Sequence, residues 1–355
     1  MTIYEQMLGA LYGHAYGDAS GGRLEFRGVP SEREIKKAMA LLGGGVFHLN
    51  PGQITDDGEL TLQVFRALYD YFVENESPEL DELFFQRFKE WFDSHPFDVG
   101  QTTRNAFQDA TTRFAMLENV TMLNINSESN GALMRSVPHA IFAYAMNLDE
   151  DQLYDLVVMD VQLTHVKQCV IHLVYAYSII ILYILQGKDN SQIFDRLTEI
   201  ANQLDDLKLS TMLDNYNTCF DVTKNIGWDK HAFSLVLYCL FNNYSFEHSI
   251  EYTLSLGGDT DTNAAIVGGV MGAKYGVQAI PFIDKLFNSK GRKGFHPKEY
   301  IEKLVNLLNV SGKLFKDSSR LVPDVYSSFI PRHMIDSETE LFPDDAVVPD
   351  VNDVD

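Results

Sequence analysis

Apolar residues recur at three- and four-residue spacing along most of the chain, and the strict alternation of a β-strand is nearly absent, so the pattern predicts helices. The first covers residues 3–17 and carries Gly9, Gly13 and Gly17 on one face, a stripe suited to close packing against another helix. Leu60, Val64, Leu68 and Phe72 mark a helix from Asp57 to about Val73. Further helices are expected over about 83–92 and, led into by Phe97–Arg104, up to about Leu117. A polar loop, Asn124 to Gly131, comes next. Two helices then meet near Thr164-His165 within 151–185, and two more reach about Leu213. The last run over 231–241, 246–254 and 264–275. The periodicity fades from Ser311, and residues 336–355 are rich in Asp with Pro343 and Pro349, a composition that stays solvated. The expected organisation is one all-α domain over 1–315, a compact orthogonal bundle, with an acidic, largely disordered tail over 316–355.

Charge and composition narrow the partners. A net charge of −22 argues against a nucleic-acid ligand, which requires clustered Lys and Arg, and against adhesion to anionic membranes. The longest apolar run, Leu173 to Leu185, has 13 residues. A membrane span needs about 20, so this run reads as a buried central helix. Cys169, Cys219 and Cys239 lack metal-type spacing and suit a reduced interior, and Met1-Thr-Ile-Tyr-Glu lacks the basic and apolar regions of a signal peptide. A cytoplasmic monomer is expected.

Two acidic stretches carry the candidate chemistry. In Gly257-Gly258-Asp259-Thr-Asp261-Thr262 a tight glycine turn delivers two carboxylates and a hydroxyl to the start of a helix. Capping needs one such residue; three oxygen donors in four residues also suit a hard cation. Thr55-Asp56-Asp57 repeats the arrangement about two hundred residues earlier, again opening a helix. Neither stretch contains His or Cys, which favours Mg²⁺, Mn²⁺ or Ca²⁺ over Zn²⁺. If the two meet in space, they can hold a pair of ions about 3.5–4 Å apart.

Other residues have plainer readings beside the functional one. Asp18 can cap or pair. Glu25 stands between Leu24 and Phe26 after a glycine bend, an unusual place for an acid without a task. Ser129-Asn130-Gly131 exposes small polar groups and amides that can grip a diphosphate or sugar, or simply form a turn. His165, alone on an apolar background, fits a satisfied core residue, and Trp228 fits the core or a stacking face.

Together these segments resemble the ADP-ribosylglycohydrolase family. Gly17-Asp18-Ala-Ser-Gly21 with Glu25-Phe26, Thr55-Asp56-Asp57, Asp98-Val-Gly100 with Thr102-Thr103-Arg104, Ser129-Asn130-Gly131-Ala-Leu-Met-Arg135, Leu163-Thr164-His165 and Gly258-Asp259-Thr-Asp261-Thr262 follow the family's order over about 3–285. The resemblance implies an all-α fold with two Mg²⁺ ions, Mn²⁺ being a possible substitute, held by Thr55, Asp56, Asp57, Asp259, Asp261 and Thr262. It places Glu25, Asp56, Asp57 and Asp261 in catalysis. It puts Gly100, Ser129, Asn130, Gly131, His165 and Trp228 against ADP-ribose, with an ADP-ribosylated protein or small molecule as substrate. Gly58 stands where the family usually has Thr or Ser, and Val166-Lys167 where many members have a second His or Pro.

Two rivals remain. Asp259-Thr-Asp261 mimics the Asp-x-Asp of haloacid-dehalogenase phosphatases, but that motif ends a strand and needs further acids and a lysine well downstream. A catalytically weak ADP-ribose binder on the same fold is the other, and the intact acid set argues against it.

Overall fold

Helix α1, Ile3–Gly21, runs past the predicted end at residue 17 and through the centre of the molecule. It starts on a capping box: the Thr2 hydroxyl accepts from the Glu5 amide, and the Glu5 carboxylate accepts from the Thr2 amide at 2.7 Å. The computed structural model describes residues 1–74, 79–218, 221–292 and 294–314, the last three as backbone only, so Cys219 and the predicted 316–355 tail lie outside the described residues. Following α1 come α2, Glu32–Met39, α3, Asp56–Phe72, and α4, Leu80–Asp93. Next are α5, Gln101–Phe107, α6, Arg113–Leu123, α7, Val137–Met146, α8, Glu150–Val161, and α9, Gln168–Leu185. The remainder are α10, Asn190–Gln203, α11, Leu207–Asp214, α12, Asp229–Phe241, α13, Phe246–Ser255, α14, Thr260–Tyr275, α15, Ile283–Phe287, and α16, Glu299–Leu314. Among the described residues there is no strand, only the isolated bridges Gly44–Leu49 and Ser129–Trp228.

The glycine stripe of α1 explains the architecture. A methyl group on Gly13 would lie 2.2 Å from the Gly268 carbonyl oxygen, and one on Gly17 would lie 2.0 Å from that of Ala264. Helix α14 therefore lies antiparallel and backbone to backbone on α1, with Gly9 meeting Gly272 at one end and Gly21 meeting Thr260 and Asp261 at the other. On another face of α14, the Tyr177 hydroxyl of α9 donates to the Ile266 carbonyl at 2.9 Å. Helix α9 is long and apolar enough to cross a membrane, yet 83% of it is buried here. It is a core helix, as its sequence predicts.

The single helix expected up to about Leu117 is broken. Asp109 takes a left-handed conformation (φ 60°), and Thr112 restarts the chain by accepting from the Ala115 amide. Four helices, α2, α7, α15 and α16, have no counterpart in the sequence reading. Helix α2 is mostly charged and buries only Ile35, Ala38 and Met39, whereas α7 is apolar nearly all round and so has no period.

Candidate active site

The site forms where α1, α3 and α14 meet. Asp18, in the last turn of α1, accepts hydrogen bonds from the Thr55 amide (2.9 Å), the Thr55 hydroxyl (2.8 Å) and the Gly58 amide (2.8 Å). It closes the start of α3 from another helix, since Thr55 makes no capping bond with its own side chain. The glycine at 58 is what permits this: a methyl group there would sit 2.7 Å from Asp18 Oδ2. On the opposite side, Gly257 and Gly258 take φ of 73°, which side chains resist, to turn the chain into α14.

The two acidic stretches meet. The Thr262 hydroxyl approaches Asp57 Oδ2 at 3.4 Å, bridging positions 205 residues apart, and the Thr55 hydroxyl reaches the same oxygen at 3.3 Å. Glu25, Asp98 and Asp261 each present an oxygen within 4.8 Å of the other two. Phe26 next to Glu25 has a left-handed backbone (φ 59°) and is 73% exposed, so the bend separates an inward acid from an outward ring. Asp56 accepts from the Gly100 amide at the start of α5.

A cavity of about 360 Å³ opens over these acids. Glu25, Asp56, Asp98, Asp259, Asp261 and Thr262 lie on its wall, as do Gly100, Ser129, Asn130 and Gly131. Asn130 donates its amide to Asp259 Oδ2 at 2.8 Å. The predicted residues Thr55, Asp57, His165 and Trp228 are not on that wall. Thr55 and Asp57 lie buried beneath it. His165 is buried behind Ser129, with Nε2 2.8 Å from the Ser129 hydroxyl. Trp228, half-buried at the start of α12, bonds Glu128 through its indole N–H and lines a separate pocket of about 250 Å³ with Lys230 and His231. The sequence reading missed Asp98 as a site acid, because a lone Asp in a loop has no partner nearby in sequence.

Burial and mutual repulsion dominate the electrostatics. Burial, then the charges of Asp259, Asp56 and Asp18, push Glu25 up to about 8, partly offset by a hydrogen bond with Asp261. Asp98 rises to about 7 through burial and the charges of Glu25, Asp18 and Asp259. Asp56, Asp57 and Asp261 are raised well above the carboxylate range, burial again being the first cause. Arg23, close in sequence, turns away to the Gly43 carbonyl and Glu34. Glu25 Oε2 and Asp57 Oδ1 are buried without a hydrogen-bond partner. Acids so placed, with orphaned oxygens and an all-oxygen donor set, fit a hard divalent cation.

The sequence profile of the ADP-ribosylglycohydrolase family matches residues 1–317, and the chain belongs to that family. It is 27% identical over 287 residues to the ADP-ribosyl-[dinitrogen reductase] glycohydrolase of Rhodospirillum rubrum, covering 79% of this chain and 89% of that protein. It is 27% identical over 296 residues to the ADP-ribosylarginine hydrolase Tri1 of Serratia proteamaculans, covering 78% and 74% respectively. A solved chain described as an ADP-ribosylglycohydrolase-related protein complex superposes with a TM-score of 0.68 at 23% identity, covering 87% of this chain and 99% of that one. The fold is thus shared. The phosphatase rival falls, because Asp259 follows helix α13 and opens α14, with no strand before it among the described residues.

Proposed function

We infer that this chain is a Mg²⁺-dependent hydrolase that removes ADP-ribose from a modified protein side chain. The observation that carries this reading is the gathering of Glu25, Asp56, Asp98, Asp259 and Asp261 under one open cavity walled by hydroxyl and amide groups. The names of the dinitrogen reductase and ADP-ribosylarginine enzymes support a protein substrate. Two ions would be held by Asp56, Asp57, Asp259, Asp261 and Thr262, with Glu25 and Asp98 adding oxygens that the triad geometry supports. Bound Mg²⁺ supplies a Lewis acid that orients ribose hydroxyls and lowers the pKa of coordinated water.

The chain's own residues do the rest. Cleavage at the anomeric carbon passes through an oxocarbenium-like state that carboxylates stabilise. Glu25, on the cavity wall with one unpartnered oxygen, would in its ionised form accept the proton of the attacking water. The Gly100 amide fixes Asp56, and Asn130 fixes Asp259, so neither acid swings out of place. Ser129, Gly131 and Gly100 hold the remainder of ADP-ribose. The reading is tested by incubating the protein with arginine- and serine-linked ADP-ribosyl substrates in Mg²⁺ or EDTA. ADP-ribose release from one linkage, abolished by EDTA, is expected. ADP-ribose binding without release from any substrate would instead establish the non-catalytic binder.

A further inference from the structure

Behind Ser129 runs a buried chain of hydrogen bonds whose direction can be deduced. Arg135 is wholly buried, paired with Asp160 at 3.0 Å, and donates from Nη2 to the Thr164 hydroxyl oxygen at 3.0 Å. The Thr164 oxygen also lies 2.8 Å from His165 Nδ1, and His165 Nε2 lies 2.8 Å from the Ser129 oxygen. The Ser129 hydroxyl in turn donates to the Thr102 hydroxyl oxygen at 3.1 Å. Thr164 and His165 have no solvent exposure.

A guanidinium carries only donors, so it cannot accept the Thr164 hydrogen. If His165 Nδ1 carried a hydrogen, the Thr164 hydroxyl would be buried with two donors facing it and nowhere to donate. An unsatisfied buried donor costs about 1–3 kcal/mol, enough to decide between two tautomers of otherwise similar energy. The Thr164 hydrogen therefore points at Nδ1, and the histidine hydrogen resides on Nε2.

We propose that Arg135, acting through Thr164, locks His165 as the neutral Nε2–H tautomer, so that Ser129 accepts from His165 and keeps its own hydrogen for an acceptor, Thr102 in this structure or an acceptor oxygen of a bound ligand. Arg135 and Thr164 are positioning residues in this scheme. The neutral state has independent support, since burial first and the charge of Arg135 second hold His165 down at about 3. Arg135 also clamps the substrate loop itself, donating from Nη1 to the Gly131 carbonyl at 2.8 Å. Asn124 secures both flanks by donating to the Thr102 and Thr164 carbonyls. His165 is consequently no proton shuttle. A ligand atom that takes the Ser129 hydrogen from Thr102 is an acceptor, such as a phosphate or ribose oxygen. The ligand side of this inference rests on the proposed ADP-ribose site; the tautomer does not.

The test is long-range ¹H–¹⁵N correlation of the histidine rings in the full chain, with His165 assigned through His165→Gln. The expected signature is an Nε2–H tautomer that persists from pH 8 to pH 5. An Nδ1–H tautomer, or titration near the ordinary value of about 6.5, overturns the proposal. Thr164→Val should abolish the single tautomer and weaken binding of ADP-ribose about tenfold, the loss of one well-placed hydrogen bond. Thr164→Ser should restore both. An unchanged tautomer in Thr164→Val would also overturn it, and if that variant does not fold, the wild-type and Thr164→Ser spectra decide the question. Failure of the wild-type protein to bind ADP-ribose would remove the functional reading while the ring spectra still judge the relay.

Discussion

Two groups of buried carboxylates in this molecule meet opposite surroundings. Glu128, in the 124–131 loop, and Asp229 share Lys208, whose ammonium lies 2.9 Å from one and 2.7 Å from the other, and Lys167 adds a second cation to Glu128 at 2.5 Å. Burial acts to raise both: at Glu128 the two lysines prevail and hold it down at about 2, whereas at Asp229 burial outweighs Lys208 and lifts it to about 6, less than the fully like-charged acids across the cavity. Across the cavity, Glu25, Asp56, Asp57, Asp98 and Asp261 face one another, and the same burial with like neighbours drives them upward. The first group is neutralised by the chain. Among the described residues the second has no cation of the chain to do this, and the proposed binding of divalent ions would supply it. A carboxylate cluster thus discloses its task by whether its counter-charge is covalently part of the protein.

The widest break in this contrast should come from Asp261→Asn, which keeps size and removes one charge from the floor. Hydrolysis should fall on the order of 10²–10³-fold, as for loss of a central charge-stabilising group. Near-wild-type turnover in the folded variant would sink the assignment. Lys208→Met should act the other way round. Stripping the shared cation from half-buried Glu128 and buried Asp229 should cost about 3 kcal/mol of stability, equally in Mg²⁺ and EDTA, read from urea unfolding curves.

Added Mg²⁺ sharpens the comparison. At a hundred times Kd it should stabilise the wild-type chain by about 2.7 kcal/mol and Asp261→Asn by less. Without Mg²⁺ the variant should be as stable as wild type or more so, because repulsion between acids is relieved. The smallest effect concerns pH. Glu128 is depressed in the folded state, so its contribution is complete above its unfolded pKa of about 4.3 and is lost as pH falls toward 2. The stability difference between wild type and Glu128→Gln, about 1 kcal/mol at pH 6 after allowing for solvent screening, should shrink between pH 5 and pH 3. A constant difference would show that the lysines do not favour the charged form.

The acids at 56, 57, 259 and 261 were legible because each pair stands at a helix start with a hydroxyl beside it, a pattern local in sequence. Asp98 was not, because its partners Glu25 and Asp261 come from distant segments and only folding gathers them. The stripe of Gly9, Gly13 and Gly17 foretold close packing but not which helix receives it. His165 was read both as a core residue and, by resemblance, as an ADP-ribose contact; it is buried behind the cavity wall, and its link to Ser129 runs through space. Lys208 gave no signal, since a single lysine on a short helix looks solvated until Glu128 and Asp229 close around it. Helix α7 was invisible for the opposite reason, having too few polar residues to show a face.

The antiparallel seam of α1 and α14 also bears on how the protein comes into being. The Thr260 hydroxyl that ties α14 to the Gly21 carbonyl is 239 residues downstream of its acceptor. A ribosome adding about 5–20 residues per second therefore leaves the first helix without its mate for roughly 10–50 s. Through that interval a nascent chain already carries Glu25, Asp56 and Asp57 but no Asp259 or Asp261. Catalytic competence arrives late and all at once, in the same event that completes the core.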